Sequence, residues 1–405
     1  MTIFARFGLL AGLYLSQGLP YGFFTQALPV LLRQQGASLP DIGLANLLAL
    51  PWMLKFLWAP VVDGRAHGRW GRRRGVILPL QVATVLVMVA LSFHRPEHGM
   101  TALLVGVLVC NLLAATQDIA TDALAIDLLQ PEERGHGNGV QVAAYRVGMI
   151  LGGGAILMVL DQLGWHLSFV LMATVLALAT VPIALWREPV VASSEHVSVD
   201  WRSLGVWFQR GDTVRWIGLL FVYKLGDALA TGMVRPMMVD AGLGLKDVGL
   251  IMGTMGSVMG LLGALLGGWG AQALGRRRAL LLFGLLQACS VAGYTLVAHA
   301  PSWWGFAALA SCEQLFGGMA TVALFTAMMD VVRPTHAAAD YTLQACVVVA
   351  STGIGASLSG LVAARAGYEG LFVGSACLCL AAVAAVASYR SQSGEFLPCL
   401  EREAS

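Results

Sequence analysis

Charge is what this sequence lacks most. Only 12% of its 405 residues are Asp, Glu, Lys or Arg, against about 25% in a soluble domain. With 57% hydrophobic residues and a mean hydropathy of +0.73, the chain cannot surround a buried core with a solvated surface. It reads as an all-α integral membrane protein whose first partner is the lipid bilayer.

Other absences exclude whole chemistries. The 7 cysteines form no C-x-x-C pair and no Cys/His zinc spacing. Cys110, Cys289, Cys312, Cys346, Cys377 and Cys379 lie in apolar segments, Cys399 in the tail, and all read as small hydrophobes. No Walker loop, no G-x-G-x-x-G after a strand and no H-E-x-x-H occurs. No enzyme activity, metal, cofactor or nucleic-acid partner is therefore expected. The run 7–32 is too long for a signal peptide, has no small-residue cleavage site, and reads as the first span.

A repeat stands out among what is present. Asp41-Ile42-Gly43-Leu44, an apolar stretch and Gly71-Arg72-Arg73-Arg74 return as Asp247-Val248-Gly249-Leu250, an apolar stretch and Gly275-Arg276-Arg277-Arg278. Residues 31–44 align on 237–250 without a gap. Two homologous membrane halves are the mark of a rocker-type transporter. Breaks at charged and Gly/Pro-rich joints predict twelve spans, near 7–32, 42–62, 76–93, 101–128, 136–160, 166–186, 216–238, 248–270, 279–298, 302–329, 341–364 and 369–389. The expected organisation is a six-helix half over 1–186, a linker over 187–215, a second half over 216–390 and a tail over 391–405.

Orientation follows from Lys and Arg. With both termini cytoplasmic, 17 of the 25 fall on the cytoplasmic side, 4 on the other and 4 inside spans. The positive-inside rule predicts that arrangement.

Charges inside spans are costly and mark wet helices. They are Lys55 in span 2, Asp118 and Asp122 in span 4, Arg146 in span 5, Lys224, Asp227 and Arg235 in span 7, and Glu313 in span 10. Spans 3, 6, 9 and 12 carry none in their cores, so every third helix is expected to face lipid. Helical rise places Lys55, Asp118 and Arg146 in one layer. Asp118 and Asp122 share a face, as do Lys224 and Asp227, which are expected to pair. Asp118, Asp227 and Glu313 are the candidate proton carriers. Pro20 and its flanking glycines are expected to bend span 1 and present Gln17, Tyr21, Phe24 and Gln26 as a binding wall. Met233 and Met237 would add apolar contact. Gly148, Gly152, Gly153 and Gly154, and Gly256, Gly260, Gly263 and Gly267, are spaced for close helix packing.

With the spans in place, Asp63, Arg65, Gly71, Arg72 and Arg73 resemble a stretched form of the signature loop of the major facilitator superfamily. The resemblance implies a twelve-helix fold of two pseudo-symmetric six-helix halves, with the loop as a cytoplasmic gate. The copy at 267–277 lacks the Asp and is expected to act mainly as a sliding surface. Ser16-Gln17-Gly18-Leu19-Pro20, Leu50-Pro51-Trp52-Met53-Leu54-Lys55, Ala115-Thr116-Gln117-Asp118-Ile119-Ala120-Thr121-Asp122 and Glu133-Arg134-Gly135 are similar to the AmpG-type branch. That branch includes muropeptide permeases and the siderophore permeases of rhizobactin and pyochelin uptake. The run 21–29 looks more like the siderophore group.

The expected function is proton-coupled import of a small ferric siderophore by alternating access, in a monomer of the bacterial inner membrane. Lys55, Arg146 and Lys224 would attract the anionic cargo. The alternatives are a muropeptide permease, for which Gln17, Gln26, Asn111, Gln117, Gln314 and Gln344 offer amide partners, and drug or metabolite efflux by the same fold.

Overall fold

A computed structural model describes residues 2–34, 45–64, 71–94, 100–188, 211–333 and 336–389, and among them there are helices and no strands. Helix α1 covers 3–34 and α2 covers 46–64. Four uninterrupted or nearly uninterrupted helices complete the first half: α3 (Arg74–Ser92), α4 (Met100–Leu128), α5 (Arg134–Met158) and α6 (Gln162–Leu185). The second half holds α7 (Gly211–Asp240), α8 (245–273), α9 (Arg276–His299) and α10 (Trp303–Asp330). A 52-residue helix, Ala337–Ser388, follows. At 1.5 Å per residue it is roughly twice the length of one span. It breaks at Gly367 (φ 69°) into α11 (337–366) and α12 (368–388). Near the start of α6 the chain breaks the same way, at Gly164 (φ 73°). Positive φ is accessible to glycine without a Cβ clash. Among the described residues, nine helices are long and apolar enough to cross a membrane, and the pattern is consistent with twelve spans.

The expected bend in α1 takes a specific form. Pro20 sits within regular helix, and the distortion comes just after it, as a π-helical turn over Phe23–Ala27. A second π turn, Leu151–Ala155, lies in the glycine run of α5, and a third, Gly249–Met255, in α8. Helix α2 is broken more severely: Lys55–Leu57 is 3-10 helix, and Trp58 leaves the helical region before Ala59–Gly64 resumes. Pro60 cannot donate the bond that would hold this turn as α-helix.

The chain forms two compact units. The first is 1–129, 143–201 and 334–342; the second is 130–142, 202–333 and 343–405. Each has its own apolar core, around Phe23, Phe24, Met88 and Phe169 in the first, and Val234, Met238, Ile251, Tyr294 and Phe372 in the second. Small residues bring helices together in both. In the first unit, a Cβ on Gly18, Gly22, Gly148 or Gly152 would overlap backbone of the helix facing it, α5 for the first two and α1 for the others. In the second, α8 and α10 meet at Gly263 against Leu315 and at Gly267, whose Cβ would lie 2.6 Å from Met319 Cα. Gly154 has nothing near it, so the α5 glycines are not equivalent.

Candidate functional site

Among the described residues, each unit holds a buried cluster of charged and polar side chains. In the first, the unwound turn of α2 aims Lys55 at α4, where its Nζ pairs with Asp118 Oδ2. The two side chains are 3% and 12% exposed. The Trp52 ring lies one helical turn earlier, 5.6 Å from the ammonium, and its indole N–H donates to Asn111 Oδ1 at 3.3 Å. One turn along α4 from Asp118, Asp122 accepts the Tyr14 hydroxyl at 2.7 Å. Tyr21 packs edge-on to Trp52 at 5.4 Å and lies 5.8 Å from the Tyr145 ring. This makes an aromatic face beside a paired lysine.

Amides surround this group. Ser16 Oγ accepts from Gln81 Nε2 at 2.8 Å and Gln117 Nε2 at 3.2 Å. Gln17 is 1% exposed, and neither its nitrogen nor its oxygen has a hydrogen-bond partner. A buried amide left in that state costs about 1–3 kcal/mol.

In the second unit, Lys224 Nζ pairs with Asp227 Oδ2 at 2.7 Å and reaches Thr321 Oγ1 at 3.2 Å. Thr231 Oγ1 lies 3.2 Å from Glu313 Oε1, and Gln314 donates to Glu313 Oε2 at 3.3 Å. Helices α7 and α10 thus present two carboxylates and one ammonium to each other. Among the described residues no three His, Cys, Asp or Glu converge as a metal site.

The basic loops are anchored differently from each other. Gly71 (φ 93°) turns the chain so that Glu188 accepts the backbone N–H groups of Arg73 and Arg74 at 2.9–3.1 Å. A carboxylate there caps the start of α3 and offsets its dipole. The Arg73 side chain is buried and donates to Asp127 at the end of α4 (3.0 Å). In the second copy Arg276 and Arg134 both pair with Asp330, each at 2.7 Å, and Arg276 also reaches the Pro131 carbonyl at 2.7 Å. The second copy therefore has ion-pair chemistry of its own, beyond the sliding role expected for it. Its acid comes from the end of α10, where no loop motif points to it.

The expected pair Lys224–Asp227 forms, and Lys55 and Asp118, expected in one layer with Arg146, pair directly. Phe24 lies beside Tyr21, with ring centroids 6.0 Å apart. Arg146 is half-buried on α5, Arg235 is exposed, and Gln26 is exposed against the π turn at Gly153. Phe24 and Met237 are buried in the apolar cores, and Met233 lies near Gly360. Of the muropeptide amides, Gln344 is fully buried between Trp216 and the Met328 carbonyl. The Asp63 side chain and Arg65 lie outside the described residues, as do 41–44, most of the linker and the tail. Tyr14, Trp52, Tyr145, Gln81, Gln287, Thr231 and Thr321 were not singled out from sequence as site residues. Only Trp52, three residues before Lys55, carried a positional signal.

Comparison with known proteins agrees with the architecture. The family model described as Major Facilitator Superfamily matches residues 10–343 and 216–395. Anhydromuropeptide permease of Escherichia coli (strain K12) is 32% identical over 349 residues, covering 84% of this chain and 70% of that protein. Putative transporter AmpG 4 of Rickettsia felis is 25% identical over 380 residues, covering 90% and 92%. Among solved structures, the human organic anion transporter MFSD10 (TETRAN) aligns with a TM-score of 0.73 at 17% identity, covering 95% of this chain and 100% of that one. The E. coli fucose:proton symporter FucP aligns at 0.71 and 15%, covering 94% and 97%. At such identities these two speak for the fold alone.

Proposed function

We propose that this chain, which belongs to the Major Facilitator Superfamily, imports a muropeptide-type cargo, a sugar carrying a short peptide, in symport with protons. That it is a multi-pass secondary transporter follows from the family and the fold. The observation carrying the cargo is the 32% identity with the anhydromuropeptide permease over most of the chain. The first cluster suits such a ligand. Tyr21, Trp52 and Tyr145 offer ring faces for a sugar, Gln17 offers an unpartnered amide, and Lys55 offers a cation to a peptide carboxylate.

Siderophore import rested on the run 21–29, and the relatives named above carry no siderophore in their names. The reading therefore moves to the muropeptide alternative. A monomer in the bacterial inner membrane, with both termini cytoplasmic, goes with this proposal. In this picture the two halves alternate access to a central path, and Asp118, Asp227 and Glu313 carry protons.

Reconstituted protein decides the matter. Labelled anhydro-muropeptide should accumulate in proteoliposomes only under an inward proton gradient, and unlabelled muropeptide should compete while a ferric siderophore does not. Competition by the siderophore alone, or accumulation without a gradient, would overturn the reading.

A further inference from the structure

Helix α2 is tied to α4 by side chains at positions spaced three residues apart. Trp52 donates to Asn111, Lys55 pairs with Asp118, and the Trp58 indole donates to Thr116 Oγ1 at 3.2 Å. In an α-helix such residues fan out around the axis, whereas a 3-10 turn brings i and i+3 into line. The 3-10 turn over Lys55–Leu57 thus carries Trp58 onto the side of Lys55.

Asn111 does more than accept one of these bonds. Its Nδ2 donates to the Leu48 carbonyl at 2.9 Å while its Oδ1 accepts from the Trp52 indole at 3.3 Å. Leu48 and Trp52 are four apart, so one amide spans about a turn of α2. Turning that amide over would set donor against donor at the indole and acceptor against acceptor at the carbonyl. It therefore has one orientation, and the direction of the indole N–H is set with it. Asn111 is 1% exposed, which keeps it out of reach of a cargo.

The indole so directed shapes the aromatic face. The Lys55 ammonium lies over its ring at 5.6 Å, within cation–π range, and Tyr21 meets it edge-on at 5.4 Å. Ala114 and Ala115 also pack against it, but methyl groups do not tell one edge of an indole from the other. A hydrogen bond does, because only one edge carries the N–H.

We propose that Asn111 is a positioning residue that fixes which way the Trp52 indole faces, and so sets how a sugar ring of the cargo lies on it. The effect on the cargo rests on the muropeptide reading above; the setting of the ring does not.

Purified full-length protein carrying fluorotryptophan tests both parts. The fluorine resonance of Trp52, assigned by its loss in Trp52→Phe, should move in Asn111→Leu. It should stay in place in Thr116→Val, which deletes the matching bond at Trp58. Anhydro-muropeptide binding, followed by calorimetry, should weaken about 3–10-fold in Asn111→Leu, the range of one net hydrogen bond. Thr116→Val should bind as wild type does, and in a Trp52→Phe background Asn111→Leu should weaken binding no further. If Asn111→Leu does not fold, Asn111→Ala is read in the same way. A Trp52 resonance unmoved by the change at Asn111, an equal loss of binding in Thr116→Val, or a further loss in the Trp52→Phe background would overturn the proposal. A resonance that moves as expected in a protein that binds no muropeptide would instead count against the cargo reading alone.

Discussion

Lys55 is held by geometry on two sides, with Asp118 on its ammonium and Trp52 beneath it. Deleting one member of such a pair leaves a buried charge uncompensated, at a cost of about 3–5 kcal/mol. Lys55→Ala should therefore lower the melting temperature in detergent more than the double variant Lys55→Ala, Asp118→Leu does. If the double variant melts no higher than the single one, the pair is not what stabilises this turn. The α5 glycines separate in the same manner. At Gly152 an added methyl overlaps the Leu19 carbonyl, whereas Gly154 has open space. Gly152→Ala should cost about 1–3 kcal/mol as an overpacked contact, and Gly154→Ala should be near neutral in the same melt. At this scale the ionisable residues were legible, because charge in an apolar run is rare. The roles of Tyr14 and Asn111 were not, because they depend on which helix lies opposite.

Among the elements, α3 begins where Glu188, more than a hundred residues away in sequence, supplies the cap that Gly71 makes room for. Glu188→Gln should weaken that cap by about 0.5–2 kcal/mol. Hydrogen exchange should then quicken in the first turn of α3 and stay unchanged in α9, which lacks this contact. The sharp joints at Gly164 and Gly367 make a second case. An alanine forced to φ near 70° is expected to cost about 1–2 kcal/mol, so Gly367→Ala should lower the melting temperature where Gly353→Ala, in open space, does not. Span boundaries could be read from hydropathy and charge, since the bilayer fixes helix length. The π turns and the 3-10 turn of α2 could not, because helix-to-helix packing decides where a backbone bond is given up.

The molecule as a whole has two units, each with a Lys–Asp pair, a basic loop and a glycine seam between helices. The skew of 17 basic residues to 4 makes a prediction at this scale. Green fluorescent protein fused to either terminus should fluoresce, and alkaline phosphatase fused there should be inactive. The opposite pattern would invert the assigned orientation.

Hydropathy, charge scarcity and the internal repeat determined by themselves that this chain is a helical membrane protein built twice over. Those properties follow from transfer of each segment into hydrocarbon, which depends on composition and length and little on partners. Tertiary structure alone decided that Asp122 is held by Tyr14, that the second basic loop meets Asp330, and that Asn111 spans Leu48 and Trp52. Such contacts join residues on different helices, and only packing sets which faces meet and which polar atoms are left to be satisfied there.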